Sequence, residues 1–349
     1  MKLFCRFFVI FGILLWVICG CSIDGDEDYG DEEIPDALGY EGTEVYLSSQ
    51  PEPTVFLSCR AVSETEINFE FSSPVTLLSL SFNPDLGIDS VEDGSTVKVY
   101  LEETPAPGQR FVADILAADA QGNEISVMVP FAARNNRVPE LLINELRTEW
   151  ARPRAEFIEF KMISPGNLGA LRVFAASNNK NSMIYEFPPV EVKAGEYVVL
   201  HLRTLEEDCR DELGDNLAES GGRDASPTAR ELWIPGSNKL LRKTDAVYVL
   251  DQDDRVLNAV MIAETPASVW NRDYFTEAAE FLYSQGAWES PSGSVSTPAD
   301  AVNSARIATA TTRSISRDET VGNTNTSADW YITVTGGATP GGLNNPNRF

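Results

Sequence analysis

Few residues of this sequence have the side chains and spacing that common catalytic centres need. His201 is the single histidine, and it lies in an apolar run, Tyr197–Leu202, where an ordinary strand position is the favoured interpretation. Cys59 and Cys209 are far apart and do not show zinc-ligand spacing. A Ser-His-Asp arrangement would depend on His201, and the sequence contains no nucleophile elbow or glycine-rich phosphate loop. We therefore expect neither an enzyme nor a metal site nor a cofactor.

Two aspartate-rich segments match calcium loops only in part. Residues 24–28 place aspartates at alternate positions, as the first ligands of an EF-hand loop do. Tyr29 then stands at the sixth position, which requires glycine, and Pro35 at the twelfth, which requires glutamate. Residues 251–254 lie between two predicted strands, where aspartate favours a hairpin turn. A solvated spacer and a turn are the favoured interpretations, and calcium binding at 251–254 stays the alternative.

The amino terminus has the pattern of an export signal. Basic residues precede an apolar run, Phe7–Ile18, that is shorter than the roughly 20 residues a membrane-spanning helix needs. The run ends in Ile18-Cys-Gly-Cys21, which resembles the lipobox of bacterial lipoprotein signal peptides. The resemblance implies that residues 1–20 are removed and that the Cys21 thiol is lipidated. An ordinary signal peptide cut near Gly20, or an uncleaved anchor, is the alternative.

The charge of the chain bears on its partners. Residues 21–50 are rich in Asp and Glu and predict an extended, disordered tether, which leaves the membrane contact to the lipid. The whole chain has 27 basic and 53 acidic side chains, a formal net charge of −26. Because nucleic-acid binding depends mainly on neutralising phosphates, we expect no nucleic-acid partner.

Short apolar segments separated by turns fill the region after the tether. Between residues 54 and 133 these segments alternate or run apolar, with breaks such as Ser72-Ser-Pro74 and Pro105-Ala-Pro-Gly108. Regular spacing of this kind predicts an all-β sandwich. The last two segments resemble the closing hairpin of bacterial immunoglobulin-like modules. We therefore predict such a module over residues 51–136.

A second resemblance covers residues 141–346. Seven motifs occur in the chain order typical of lamin-tail domains, which are immunoglobulin-like β-sandwiches. They are Ile143–Leu146, Glu156–Phe160, Tyr185–Pro189, Val192–Leu200, Asp245–Asp251 with Arg255–Val260, Ser314–Arg317 with Asp329-Trp330, and Thr339–Asn344. The glycine-tryptophan pair usual in that family is absent around residues 170–174. The resemblance implies a lamin-tail-like sandwich over residues 137–349, interrupted by insertions near 205–232 and 263–312.

Three glutamates invite a chemical interpretation. Glu145, Glu156 and Glu159 could serve as paired carboxylates for acid–base or hydrolytic work. They coincide with framework positions of the lamin-tail pattern, where the resemblance implies that they bind partners inside the sandwich. The framework role is favoured, and a catalytic or calcium-binding role stays the alternative.

The second insertion is rich in aromatic residues. Within residues 263–312, the apolar positions of 273–283 recur at helical spacing and predict a short helix. Aromatic side chains in a variable loop can form a recognition surface. The candidate partner-binding residues are Trp270, Tyr274, Phe275, Tyr283 and Trp288. They could equally form a small core of the insertion itself.

Taken together, these patterns predict two immunoglobulin-like β-sandwich modules in tandem, the second with a short helical insertion. We expect a lipid-anchored, non-enzymatic protein of a bacterial cell envelope, at the outer membrane or cell surface rather than the inner membrane. It would bind or scaffold protein or glycan partners. The alternatives are a carboxylate-dependent hydrolase acting on cell-wall or host glycan, and a purely structural envelope spacer.

Overall fold

The structure is a computed structural model that describes residues 52–307 and 310–349. The predicted signal peptide, the acidic tether and Cys21 lie outside the described residues. Within the described ranges, no helix is long and apolar enough to cross a membrane. The fold of these residues is all-β with one α-helix, in agreement with the predicted class.

Six strands form the first region, residues 53–133, and belong to one sheet with the order β3-β4-β2-β5-β6, in which β1 also pairs with β2. The strands are β1 (Phe56–Ala61), β2 (Glu66–Asn83), β3 (Ile88–Glu92), β4 (Gly94–Leu101), β5 (Arg110–Asp119) and β6 (Glu124–Ala132). Alternate residues of β4 and β5 and of the first half of β2 are buried, as in Phe111, Ala113 and Ile115 of β5. This period of two buries one face of these three strands in a common core.

Strand β2 is longer than the sequence predicts. We expected two strands separated by a turn at Ser72-Ser-Pro74, but the strand continues through these residues. Its first half pairs with β4 and its second half with β5, and the register shifts between Glu70 and Val75. Pro74 has no N–H to donate, so it fits the point at which the strand changes partners. The sheet can therefore bend around its core without a break in the chain.

The second region, residues 139–349, contains two facing sheets and a small two-stranded one. The six-stranded sheet has the order β14-β13-β8-β7-β18-β19, the five-stranded sheet β11-β10-β15-β16-β17, and β9 pairs with β12. These strands are β7 (Leu141–Arg147), β8 (Phe157–Met162), β9 (Gly166–Asn167), β10 (Arg172–Ala175), β11 (Ser182–Glu186), β12 (Glu191–Val192), β13 (Tyr197–His201), β14 (Arg230–Trp233), β15 (Asp245–Leu250), β16 (Val256–Ala263), β17 (Val302–Asn303), β18 (Ile315–Arg317) and β19 (Trp330–Ile332).

One apolar core joins the two large sheets. Ile158 and Leu200 of the six-stranded sheet and Val249 and Val260 of the five-stranded sheet are fully buried in it. The helix α1 (Asp273–Ser284) adds Leu282 and three other buried side chains to the same core. The helix predicted over 273–283 is thereby confirmed, and its apolar stripe faces the five-stranded sheet.

The first predicted insertion contains a strand that we did not expect. The polar, charged composition of the insertion at residues 205–232 predicts a loop between strands, but its last part belongs to β14, which pairs in parallel with β13. The remainder is held down by the buried Glu212, whose carboxylate accepts the N–H groups of Glu219, Ser220 and Glu231 at 3.0, 2.9 and 2.9 Å. This segment is therefore an ordered cover over the outer face of the six-stranded sheet.

Two glycines bring the backbones of the regions into direct contact. A Cβ atom on Gly108 would lie 2.2 Å from the carbonyl carbon of Gly169, and a Cβ on Gly169 would lie 2.4 Å from the oxygen of Pro107. Gly108 also has a φ of +71°, which side-chain-bearing residues rarely adopt. Nearby, the Asn135 amide donates to the Gly169 oxygen at 2.9 Å. We call this contact the joint.

The aspartate turn between β15 and β16 completes the joint. Asp253 accepts hydrogen bonds from Arg60 and Arg134 of the first part of the chain, the latter at 2.8 Å. Gln252 donates to the Ala133 oxygen at 2.9 Å. Asp251 accepts the N–H of Asp253 at 2.8 Å, as a hairpin turn requires. The predicted turn is present, and its carboxylates bind arginines. No group of metal ligands occurs among the described residues.

Candidate functional site

Glu145 and Glu159 lie opposite each other on β7 and β8, on the face of the six-stranded sheet that points away from the apolar core. Both are fully buried. Glu145 accepts hydrogen bonds from Ser314 and Ser316 and from the N–H of Thr339, the last at 3.1 Å. Such a pair could exchange protons, but it has no surface through which a substrate could reach it.

The second carboxylate of this pair is also satisfied internally. Glu159 accepts the N–H of Gly341 at 2.6 Å and the amide of Asn144 at 2.8 Å. Burial raises the pKa of Glu145 to about 7. Burial and the neighbouring charge of Glu145 raise the pKa of Glu159 as well. The glutamates therefore tie the segment 339–341 to the sheet.

Glu156, the third glutamate, forms a buried ion pair. Arg203 donates to both of its carboxylate oxygens, at 2.5 and 2.6 Å, and neither side chain is more than 1% exposed. The guanidinium also stacks over Trp150 at 4.1 Å from the ring centroid. Because all polar partners of Glu156 are internal, its arrangement is that of a framework residue.

His201 is sealed beneath the cover formed by residues 205–229. Its Nε2 lies 2.5 Å from an oxygen of Glu231, and its ring stacks on Trp233 at 3.7 Å. Burial lowers the pKa of His201 to about 3 and raises that of Glu231 to about 8. Nδ1 of the ring has no hydrogen-bond partner among the described residues. The histidine is therefore a neutral, internal strand residue and activates no nucleophile in this structure.

These shifts predict an unusual dependence of stability on pH. Burial raises the pKa of Glu145 to about 7, of Glu231 to about 8 and of Asp245 to about 6. Between about pH 5 and pH 8 the folded protein keeps protons that the unfolded chain has lost, so the free energy of unfolding falls as pH rises. His201 has the opposite effect: below its ordinary pKa of 6.5 the unfolded chain binds a proton that the buried ring does not, so its contribution to the free energy of unfolding falls as pH falls. We expect maximum stability at about pH 4, measured by urea denaturation from about pH 3 to 8.

A substitution isolates the contribution of the glutamate pair. Glu145→Gln should flatten the fall in unfolding free energy between about pH 5 and 7, whereas Glu207→Gln, at an exposed position, should leave it unchanged. An unfolding free energy that rises steadily from pH 5 to 8 in the unsubstituted protein would contradict the assignment.

The five aromatic candidates of the second insertion mostly face inward. Trp288 is 1% exposed and Phe275 4% exposed, and Trp270 and Tyr274 are half-buried. Trp270 donates to the Ser296 oxygen at 2.8 Å and Trp288 to the Ser296 hydroxyl at 3.2 Å. Tyr283, 39% exposed, donates to the Gly293 oxygen at 3.1 Å. These side chains thus hold the insertion together, and of the five only Tyr283, Tyr274 and Trp270 keep outward surface.

A cavity of about 350 Å³ lies at the start of α1, with Tyr274 and Phe275 in its wall. Four cationic side chains line it, Lys239, Arg242, Lys243 and Arg272, together with the carboxylates of Glu149 and Glu264. We call it the basic cavity. Sequence reasoning missed it, although three basic residues within 239–243 are an available signal in so acidic a chain.

Comparison with known proteins gives two matches. The family model TP_1001_2nd, described as "protein second domain", matches residues 139–332, which contain most of the second region. An uncharacterized protein of Treponema pallidum (strain Nichols) is 28% identical over 203 residues, an alignment that covers 54% of this chain and 50% of the relative. The alignment thus spans about half the length of that relative. Because the matched family model covers more than half of the sequence, the chain belongs to the TP_1001_2nd family.

Proposed function

We propose that the chain is a lipid-anchored, non-enzymatic protein of a bacterial cell envelope that scaffolds or binds protein or glycan partners. In this proposal an immunoglobulin-like module is followed by a lamin-tail-like sandwich. The joint carries the proposal. A Gly108–Gly169 backbone contact and the Asp253 bonds to two arginines fix the modules against each other. A fixed arrangement of the two parts suits a protein that holds a partner at a set position.

The lamin-tail assignment draws support from a contact between distant motifs. Thr339 and Gly341, in the closing motif, donate to Glu145 and Glu159, in the two opening motifs. Asn344 of the closing motif also donates to the Asn144 oxygen at 3.0 Å. Motifs separated by nearly the whole region therefore meet in one cluster, as parts of a shared framework would.

The two alternatives are affected differently. A carboxylate-dependent hydrolase gains no support, because Glu145, Glu156 and Glu159 are buried and bonded to internal partners. A purely structural envelope spacer is favoured by the inward-facing aromatic side chains of the insertion, notably Trp288. The spacer is therefore the second candidate, and it shares the anchor and the joint with the first.

Anchoring through Cys21 is tested by substitution and fractionation. We expect the unsubstituted protein in the membrane fraction of a bacterial host, and Cys21→Ser in the soluble envelope fraction, because the acidic tether provides no membrane affinity of its own. Cys19→Ser is the matched control and should remain in the membrane. Recovery of Cys21→Ser in the membrane fraction would contradict the lipid anchor.

Protease digestion of intact cells tests the orientation of the anchored protein. Loss of residues 139–349 from intact cells is the result expected for the cell surface. Loss only after permeabilisation would confine the protein to the periplasm, which would retain scaffolding and remove extracellular partners from the proposal.

A further inference from the structure

We infer that the basic cavity binds the oxyanion, phosphate or carboxylate, of a small polar ligand. The inference goes beyond the proposed function, because binding here requires neither the lipid on Cys21 nor the joint. It concerns a site at the start of α1, in the part of the second region formed by residues 239–244 and 264–275.

The charge of the cavity opposes that of the chain. Four cationic side chains and two carboxylates line it, within a protein whose formal net charge is −26. Lys239 and Lys243 each contact one of these carboxylates, Glu149 and Glu264, through a single bond of 3.2 Å. These two pairs neutralise each other, which leaves Arg242 and Arg272 as the excess positive charge. An anion that enters the cavity therefore meets a local positive charge, although the chain as a whole is negative.

The side chains of Arg242 and Arg272 have N–H groups that are free to donate hydrogen bonds. Both are exposed, and neither side chain forms a hydrogen bond or an ion pair with any residue in the described part of the chain. In contrast, Arg147, Arg203 and Arg317 are buried and bonded to carboxylates. A guanidinium presents paired N–H groups that match two oxygens of a phosphate or carboxylate. The free pair at the cavity can accordingly bind an oxyanion without breaking an existing contact.

The amino-terminal end of α1 also lies at the cavity. Arg272 occupies the position before the helix, and no side chain caps the first turn. The amino-terminal end of a helix carries partial positive charge. The Asp273 carboxylate in the first turn offsets part of it, and the N–H groups of Phe275 and Thr276 already donate to the Arg272 oxygen. Tyr274, half-buried in the wall, offers a ring face beside these donors. The cavity thus combines two guanidinium groups and an aromatic surface, which suits a polar anion with a small ring or chain attached.

Calorimetric titration of the complete lipoprotein, purified in a nonionic detergent at low ionic strength, tests the site. The probes are inorganic phosphate, sodium glucuronate and neutral glucose. We expect at least one of the two oxyanions to bind and glucose not to bind. Arg242→Gln with Arg272→Gln should weaken the affinity about tenfold or more, because each lost guanidinium removes charge-assisted hydrogen bonds. Both positions are exposed, so the variant should fold normally.

A charge-matched variant completes the experiment. Arg210→Gln with Arg223→Gln removes the same charge at exposed positions outside the cavity and should change the affinity by about twofold at most. Binding of phosphate alone would identify a phosphorylated ligand, and binding of glucuronate alone an acidic sugar. The inference is overturned if neither oxyanion binds, if glucose binds equally well, or if the cavity variant keeps the affinity of the unsubstituted protein.

Discussion

Gly108→Ala is expected to lower the free energy of unfolding by about 2–4 kcal/mol. The new Cβ would lie 2.2 Å from the Gly169 carbonyl carbon and 2.7 Å from the Ala170 nitrogen, which are backbone atoms that cannot turn aside. Relief requires the regions to move apart, at a cost of about 1–3 kcal/mol for overpacking. The positive φ of +71° adds about 1 kcal/mol.

Two measurements report the effect of this substitution. Urea denaturation followed by circular dichroism gives the loss for the whole protein, whereas tryptophan fluorescence follows the second region, which holds every tryptophan of the described residues. Limited trypsin digestion should show faster cleavage after Arg134 or Arg137, because these residues connect the regions. Opening of the joint would expose that connecting segment.

Gly122→Ala serves as the matched control for the joint. Gly122 also has a positive φ, +82°, but a Cβ there would meet nothing within 4 Å. Gly122→Ala should therefore lower the free energy of unfolding by only about 1 kcal/mol, the penalty of the left-handed backbone. Equal losses for the two variants would mean that the contact with Gly169 does not constrain the joint.

Glu156→Gln is expected to cost about 3–5 kcal/mol of unfolding free energy. The substitution leaves the Arg203 guanidinium, 1% exposed, with no counter-charge in a site sealed from water. Urea denaturation at constant pH measures the loss. Arg203→Met combined with Glu156→Gln should recover much of it, because two uncharged side chains in that space avoid the unpaired charge.

The pair of Arg137 and Glu191 provides the control. It has the same two-bond geometry, at 2.9 and 2.7 Å, but its side chains are 54% and 55% exposed. Glu191→Gln should therefore change stability by less than about 1 kcal/mol. If Glu156→Gln were as mild as this control, the framework role of Glu156 would be wrong and a functional role for that carboxylate would need to be considered again.

Local pattern was sufficient to predict the helix and alternating strands such as β5. Alternation in β5 and the helical spacing of residues 273–283 arise from side chains that pack against one core, so they appear in the sequence itself. Strand β14 escaped prediction because both Arg230 and Glu231 are buried in it, together with Leu232 and Trp233. A strand covered on both faces loses the alternation that marks a half-exposed one.

The joint and the basic cavity could not be predicted for a different reason. Gly108 and Gly169 meet through backbone atoms, and a contact of that kind leaves no side-chain pattern to detect. The cavity unites residues 239–244 with Arg272 and Tyr274, which only the folded chain brings together. Likewise, the sequence marks Glu156 as a candidate carboxylate but does not reveal that its partner is Arg203, 47 residues away.

The bond from the Thr339 N–H to Glu145 has a consequence for the order of assembly. Its two residues are 194 positions apart in the chain, and synthesis from the amino end delivers Glu145 long before Thr339. Until Thr339 and Gly341 arrive, two neighbouring carboxylates must remain hydrated, and the sheet that carries them cannot be sealed. Completion of the second region is therefore coupled to the arrival of residues 339–341. A chain that stops before residue 339 would leave this acidic pair without the N–H groups that bind it.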